Sequence, residues 1–376
     1  MLSAAFLFAV VCQDPATASE RAADFARRLE AAVAKGERIS LDMAMDADAF
    51  YNRVVDTAKL SQNLEEFYKP MIRMSFTSGP YFGVLKGRVT YKFLRIRKAD
   101  DGLRALFRLT GQGAAFHYHE LLLTPDVESF RIVDYFVLKF EGFQSELTRR
   151  SVMPSPQTLK LFNKLQHHPT PGDVMMDYNS NVLNQFSQLV TAGEHQKALD
   201  KYYENVQALK NVGIAQVLHV NAARMIDQAT YDKALKEMAE VFKTGPAVDI
   251  VTLGGHLQYG QLDGALSCID RIEKHVGGDI FLNVIRGNAY LGDKQPAKAR
   301  DFFRAVTETE PTLDQGWWTL IAANLALKEY KEVVRCLNAV EKHLDVTIGD
   351  LSKVKTYEEF LKSPEYADWM KGRDPK

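Results

Sequence analysis

Basic residues never gather in this chain. Its 47 lysines and arginines are offset by 48 aspartates and glutamates, for a net charge of −1. Nucleic acid binds by exchanging counterions for clustered lysine and arginine, so it finds no footprint here. Cysteine is nearly absent, three in 376 residues, which excludes a disulfide-stapled scaffold. No apolar run reaches the roughly twenty residues that a helix needs to cross a bilayer, so no transmembrane span is expected. Also missing are a phosphate-binding glycine loop, a G-x-S-x-G nucleophile elbow and an H-E-x-x-H helix. Nothing marks a nucleophile, and no cofactor is expected. What remains, 46% hydrophobic and 25% charged, is an ordinary globular balance over enough chain for two or three domains.

The first residues differ from the rest. Leu2–Val11 is an uncharged apolar run, Pro15 breaks it, and Ala16-Thr17-Ala18 is a small-x-small site before Ser19. Residues 1–18 read as a secretory signal peptide cleaved after Ala18, which implies export to a bacterial periplasm or the extracellular space. No lysine or arginine precedes the run, so cytoplasmic residence is the alternative. Cys12 raises lipid attachment and membrane association, but Val11 stands where a small residue is required. Cys268 and Cys336 are expected to be buried, unpaired residues in different hairpins.

A period runs through the second half. Ala198, Ala234, Ala265, Ala299 and Val333 are separated by 36, 31, 34 and 34 residues. Four residues after each comes Tyr202, Met238, Ile269, Phe303 or Leu337. Three further on come Asn205, Val241, Ile272, Val306 and Val340. Pro246 and Pro311 end two of the units, since proline stops a helix. With Gly287, Tyr290, Ala299, Phe303 and Pro311 in one unit and Trp317, Leu320, Val333 and Leu337 in the next, residues 178–345 resemble the tetratricopeptide repeat. Arg286, Ile321 and Asn324 depart from that pattern. The resemblance implies about five helix hairpins stacked as a solenoid, with Gly287 facing Ala299 where two helices approach closely. It also implies a concave surface, lined by the first helix of each pair, that holds a protein or peptide. Candidate contact residues there are Asn221, Arg224, His256, Tyr259, Asn283, Arg286, Trp318 and Asn324. Ser363-Pro364 starts a helix in the last segment, 346–376, whose Tyr366, Trp369 and Met370 are expected to cap the final hairpin.

The N-terminal half, residues 19–152, reads as helices first and strands after. Phe25, Leu29, Ala32 and Val33 recur at helical spacing before Gly36, and further helices follow near 47–58 and 64–73. "RVTYKFLRIR", "LRALFRLTG", "AAFHYHELLL" and "SFRIVDYFVLKF" read as a strand meander. The α+β order resembles the cone-shaped fold of nuclear transport factor 2 and ketosteroid isomerase relatives. That resemblance implies a curved sheet wrapped on helices and a capacity to dimerise through the sheet. Residues 153–173 are rich in proline and glycine, and 153–177 read as a linker, His167 and His168 included.

Strict alternation along the last strand puts Phe130, Ile132, Asp134, Phe136, Leu138 and Phe140 on one face. Asp134 would then be a carboxylate in an apolar pocket, suited to general-base work with Tyr118 or Tyr135 beside it. The alternative is an aspartate bonded to backbone or arginine. His117 and His119 share a strand face, as two ligands of one metal can, and "GQGAAFHYHE" is similar to the first half of a cupin metal motif. Leu123 and Thr124 stand where its glutamate belongs, so an incidental pair is expected and no metal. Three functions stay open: a scaffold binding a client through the repeats, an enzyme or small-ligand binder of hydrophobic molecules built on Asp134, and a dimerising frame for two superhelices.

Overall fold

The computed structural model of the chain describes residues 15–37, 43–56, 60–78, 90–111, 116–127, 129–154, 156–165, 170, 181–242, 245–371 and 373. They belong to two compact units, one built from Met1–Glu194 with Glu204–Leu209, the other from His195–Tyr203 with Lys210–Lys376. Leu2–Val11, Cys12, His167 and His168 lie outside the described residues.

Helices described at the start of the first unit include α1 (Pro15–Ala34), α2 (Ala47–Val55) and α3 (Gln62–Ser78). On α1 the stripe Ala22, Phe25, Ala26 and Leu29 is buried, as spacings of three and four place it on one side. Gly36 then takes φ +71°, a conformation open to glycine. The Asp46 side chain caps α2 by accepting from the Ala49 amide at 2.9 Å.

Five antiparallel strands follow in consecutive order: β1 (Thr90–Ala99), β2 (Gly102–Thr110), β3 (Phe116–Pro125), β4 (Phe130–Val137) and β5 (Gly142–Phe143). Aromatic and aliphatic side chains of one sheet face meet the helices in a single core that includes Phe50, Tyr68, Phe76, Phe107, Leu121 and Ile132. Two further helices close the unit's sheet region, α4 (Gln144–Val152) and α5 (Pro156–Leu165). The latter falls in the stretch read as a linker. Its Leu159 and Phe162, three residues apart, pack on the sheet core, so apolar burial outweighs the proline signal there. Helix α6 (Val182–Thr191) also belongs to this unit.

Strict alternation fails on β4. Leu122 of β3 pairs with Asp134, yet Leu123 pairs with Ile132, which leaves Val133 as the extra residue of a bulge. Beyond it the faces exchange. Tyr135 and Val137 join Phe130 and Ile132 in the core, while Asp134 and Phe136 turn to the other side. Leu138–Phe140 is a single 3₁₀ turn rather than strand.

The second region is helical and repeat-like. After α7 (His195–Glu204), and a short α8 (Val206–Leu209) that groups with the first unit, come four pairs: α9 (Gly213–Arg224) with α10 (Gln228–Phe242), α11 (Pro246–Gln258) with α12 (Leu262–Val276), α13 (Leu282–Gly292) with α14 (Pro296–Thr309), and α15 (Asp314–Leu327) with α16 (Tyr330–Leu344). Each helix packs on its partner, and each pair on the next. The periodic positions are where packing is tightest: Ala198, Ala234, Ala265, Ala299 and Val333 are at most 1% exposed, as are Tyr202, Met238, Ile269, Phe303 and Leu337. Two short helices, α17 (Glu358–Leu361) and α18 (Pro364–Met370), follow. Tyr366 and Trp369 pack on the last pair's core, and Ser363 caps α18 by accepting from the Tyr366 amide at 3.2 Å.

The side chain lying nearest to Gly287 is that of Phe303. A Cβ at Gly287 would run into this ring, one turn beyond Ala299 along α14. At Gly255 the obstacle is the Tyr231 ring, which belongs to the preceding pair. Glycine thus seats an aromatic ring against bare backbone, once within a pair and once between pairs. Gly287→Ala should lower stability by up to about 2 kcal/mol in urea unfolding: overpacking costs about 1–3 kcal/mol, against which better helix propensity returns about 1. Gly292→Ala, whose Cβ meets nothing within 4 Å, should be neutral or stabilising.

Candidate functional site

Asp134 is fully buried, and every lone pair it offers is taken. Arg53 Nε donates to Oδ2 at 2.8 Å and Ser145 Oγ at 2.5 Å, while the Tyr135 and Ser145 amides donate to Oδ1 at 2.9 and 3.2 Å. Burial raises its carboxyl above the ordinary range, and the bonds from Ser145 and Arg53 oppose that rise. The clamp joins three elements, since Arg53 comes from α2 and Ser145 from the first turn of α4. Arg149 of α4 completes the junction by donating to the Val54 and Arg53 carbonyls at 2.6 and 2.5 Å, which satisfies the exposed end of α2.

The other proposed members of this site stand apart from it. Tyr135 points into the helical core, stacked 6.1 Å from Phe76. Tyr118 shares Asp134's side of the sheet but lies four residues along β3 from Leu122, the partner of Asp134, which is about 13 Å of strand. His117 and His119 occupy the core face, where His119 lies 5.8 Å from the Tyr91 ring and 6.2 Å from Tyr135. Burial holds both imidazoles neutral, pulling His117 down to about 4. Among the described residues no group of three His, Cys, Asp or Glu side chains could hold a metal ion. Grooves of about 510 and 440 Å³ run along α1, lined chiefly by Asp24 and Arg27 with Arg95 or Arg28, and include none of these residues.

A second polar cluster occupies the same sheet side as Asp134. Arg97 and Arg104 sit directly opposite on β1 and β2, an arrangement that repels. Glu120 of β3, 5% exposed, lies between them and accepts from Arg97 at 2.7 Å and Arg104 at 2.9 Å. Arg104 also lies 5.0 Å from the Phe143 ring, and Arg53 lies 4.9 Å from the same ring. One aromatic side chain therefore joins the two ion pairs.

In the helical unit the eight candidate contact residues divide by what they already hold. Arg286 reaches back to α12, donating to Asp270 at 2.7 Å and Glu273 at 2.6 Å, and Asn283 accepts from it at 3.1 Å. This pair ties one hairpin to the next. His256 Nδ1 lies 2.6 Å from Gln261 Oε1, and its ring covers Gly264 in the first turn of α12. Tyr259 follows α11 and packs 5.9 Å from Tyr231. Asn324 is 2% exposed and its amide approaches Cys336 Sγ at 3.7 Å, inside the α15–α16 pair. Trp318 is exposed, and Asn221 and Arg224 are half-buried. Sequence spacing identified these helices but missed His219, which is fully buried and stacked on Tyr202 at 3.8 Å between ring centres. Its Nε2 lies 3.3 Å from the Tyr203 hydroxyl. Cys268 and Cys336 are free and buried, and burial pushes both thiols to about 11.

No helix among the described residues is long and apolar enough to cross a membrane. Compared with protein-family models and with curated proteins, the chain matches none.

Removing the clamped carboxylate leaves the Arg53 cation beside the half-buried Phe143 ring with its charge unpaired. Asp134→Ala should cost about 2–4 kcal/mol of stability, near the lower end because the Arg53 side chain is 35% exposed. Denaturant titration of the full chain measures it. His219 titrates at about 4 in the folded protein, lowered by burial and by Lys233, against 6.5 unfolded. Glu237, 3.9 Å away, favours the charged ring, but Lys233 lies 3.8 Å from that same carboxylate and offsets it. The unfolded chain thus takes the proton first, and stability falls as pH drops from about 6.5 to 4, by about 3 kcal/mol at most. In His219→Phe this slope should shrink, as read from urea midpoints at pH 7, 5.5 and 4.5.

Proposed function

We propose that this protein is a non-catalytic scaffold whose C-terminal helical region is a tetratricopeptide-type solenoid that holds a protein or peptide client. The carrying observation is the burial of one small or β-branched residue on α7 and on the second helix of each of the four pairs, at most 1% exposed from Ala198 to Val333, at spacings close to 34. Pairs packed in series in this way leave the first helices α9, α11, α13 and α15 to line a concave face. Trp318, Asn221 and Arg224 are then its available contacts, because an exposed indole offers large area at small entropic cost. In this reading Arg286, Asn283, His256 and Asn324 shape the surface rather than touch the client.

The N-terminal sheet region, read as a nuclear transport factor 2-like cone, contributes dimerisation or additional binding, and the leading segment directs export. A reading of Asp134 as a general base has less support, since four donors already hold its carboxylate.

Panning displayed peptide libraries on the full chain, with Trp318→Ala as comparison, tests the reading. Enriched peptides should bind the parent at least tenfold more tightly than the variant. Failure to enrich any peptide, or equal binding to both proteins, would overturn it.

A further inference from the structure

Arginines of the helical unit are almost all spoken for. Arg271 holds Asp249, Arg286 holds Asp270 and Glu273, Arg300 holds Glu329, Arg335 holds Glu332, and Arg373 holds Glu341. Arg304 has no carboxylate among the described residues, but it is exposed and hydrated. Arg224 is different. It is half-buried in the last turn of α9, its Nε is shut off from water without an acceptor, and no described carboxylate pairs with it. A cation in that state has lost part of its hydration and gained no partner.

The neighbourhood is shaped around it. Gly254 on α11 presents bare backbone to the guanidinium: a Cβ at that position would lie 3.3 Å from Nη1. The next residue, Gly255, makes the same room for Tyr231 of α10, whose ring is 3% exposed. The Tyr231 hydroxyl is buried with no hydrogen-bond partner, close enough to Arg224 to feel its charge. Two side chains that each carry a buried donor without an acceptor therefore rest on consecutive glycines of one helix. A guanidinium that has lost hydration at Nε without gaining a partner is favoured by an anionic acceptor on its terminal nitrogens.

We propose that Arg224, seated on Gly254 beside Tyr231, is an anion subsite that takes a carboxylate of the bound partner. Arg224 receives the carboxylate on its terminal nitrogens, and the glycine floor holds the guanidinium plane in place for it. The inference rests on the reading of the first helices as a binding surface and adds the chemistry that surface selects. The carboxylate comes from an acidic side chain or from a chain terminus.

Titrating the full chain with small carboxylates, while following arginine Nε–H resonances, tests this directly. Acetate is the first probe, then N-acetylglutamate amide, which carries only a side-chain carboxylate, and N-acetylalanine, which carries only a terminal one. The Arg224 signal, assigned by its loss in Arg224→Gln, should shift and saturate, whereas Arg304 should drift linearly. The tighter of the last two probes identifies the source. Gly254→Leu, which displaces the guanidinium, should weaken the response at least fivefold while leaving Arg304 unchanged. If Arg224 shows no saturation, or follows the same line as Arg304, the subsite is overturned. The two readings fail separately: peptides that need Trp318 but carry no acidic group would sink the subsite alone. Saturable acetate binding with no enriched peptide would sink the binding surface alone.

Discussion

Helices can pack closely only where something small stands between them, and the C-terminal half of this protein is organised by that condition. Alanine at 198, 234, 265 and 299, with valine at 333, lets each second helix approach its neighbours, and the large residue one turn later fills the space that opens beside the contact. Glycine extends the device. At Gly287 and Gly255 an aromatic ring lies directly on backbone, so the phenylalanine or tyrosine is buried without holding the helices apart. Interiors of this density do not absorb an extra methyl easily, which is why the small positions recur while the surface around them varies.

The sheet region meets a different condition. One face is covered by α1, α2 and α3, yet residues of the opposite face such as Leu106, Arg108, Tyr118 and Glu120 are also nearly sealed from water. Charged groups at such positions have to be paired within the protein. Glu120 between two arginines and Asp134 between Arg53 and Ser145 do this, and Phe143 spans the gap from one pair to the other. The same bonds that make Asp134 tolerable in the interior occupy the lone pairs that a base would need.

Charge accounting also separates framework from surface among the helices. Arg286 and Arg271 spend their charge linking helices, as His256 spends its ring covering a turn. Arg224 and Trp318 carry no comparable obligation, and both lie on first helices.

Sequence alone determined the helix pairs, their period and the meander that precedes them, because periodicity in apolar spacing is a local property that survives without coordinates. It also located α18 through Ser363 and Pro364, and the end of α1 through Gly36. Tertiary structure decided the rest. The bulge at Val133 reverses which side of the sheet receives Asp134, and one unpaired residue is invisible in an alternating pattern. Leu159 and Phe162 turn a proline-rich stretch into a packed helix, and the Phe303 ring is what lies nearest to Gly287. Which arginine finds a carboxylate depends on residues distant in the chain, as Arg53 does with Asp134 and Arg373 with Glu341. Spacing within a helix is set by its own geometry, whereas partnership across helices is set by how the chain returns on itself, and only the folded molecule records that return.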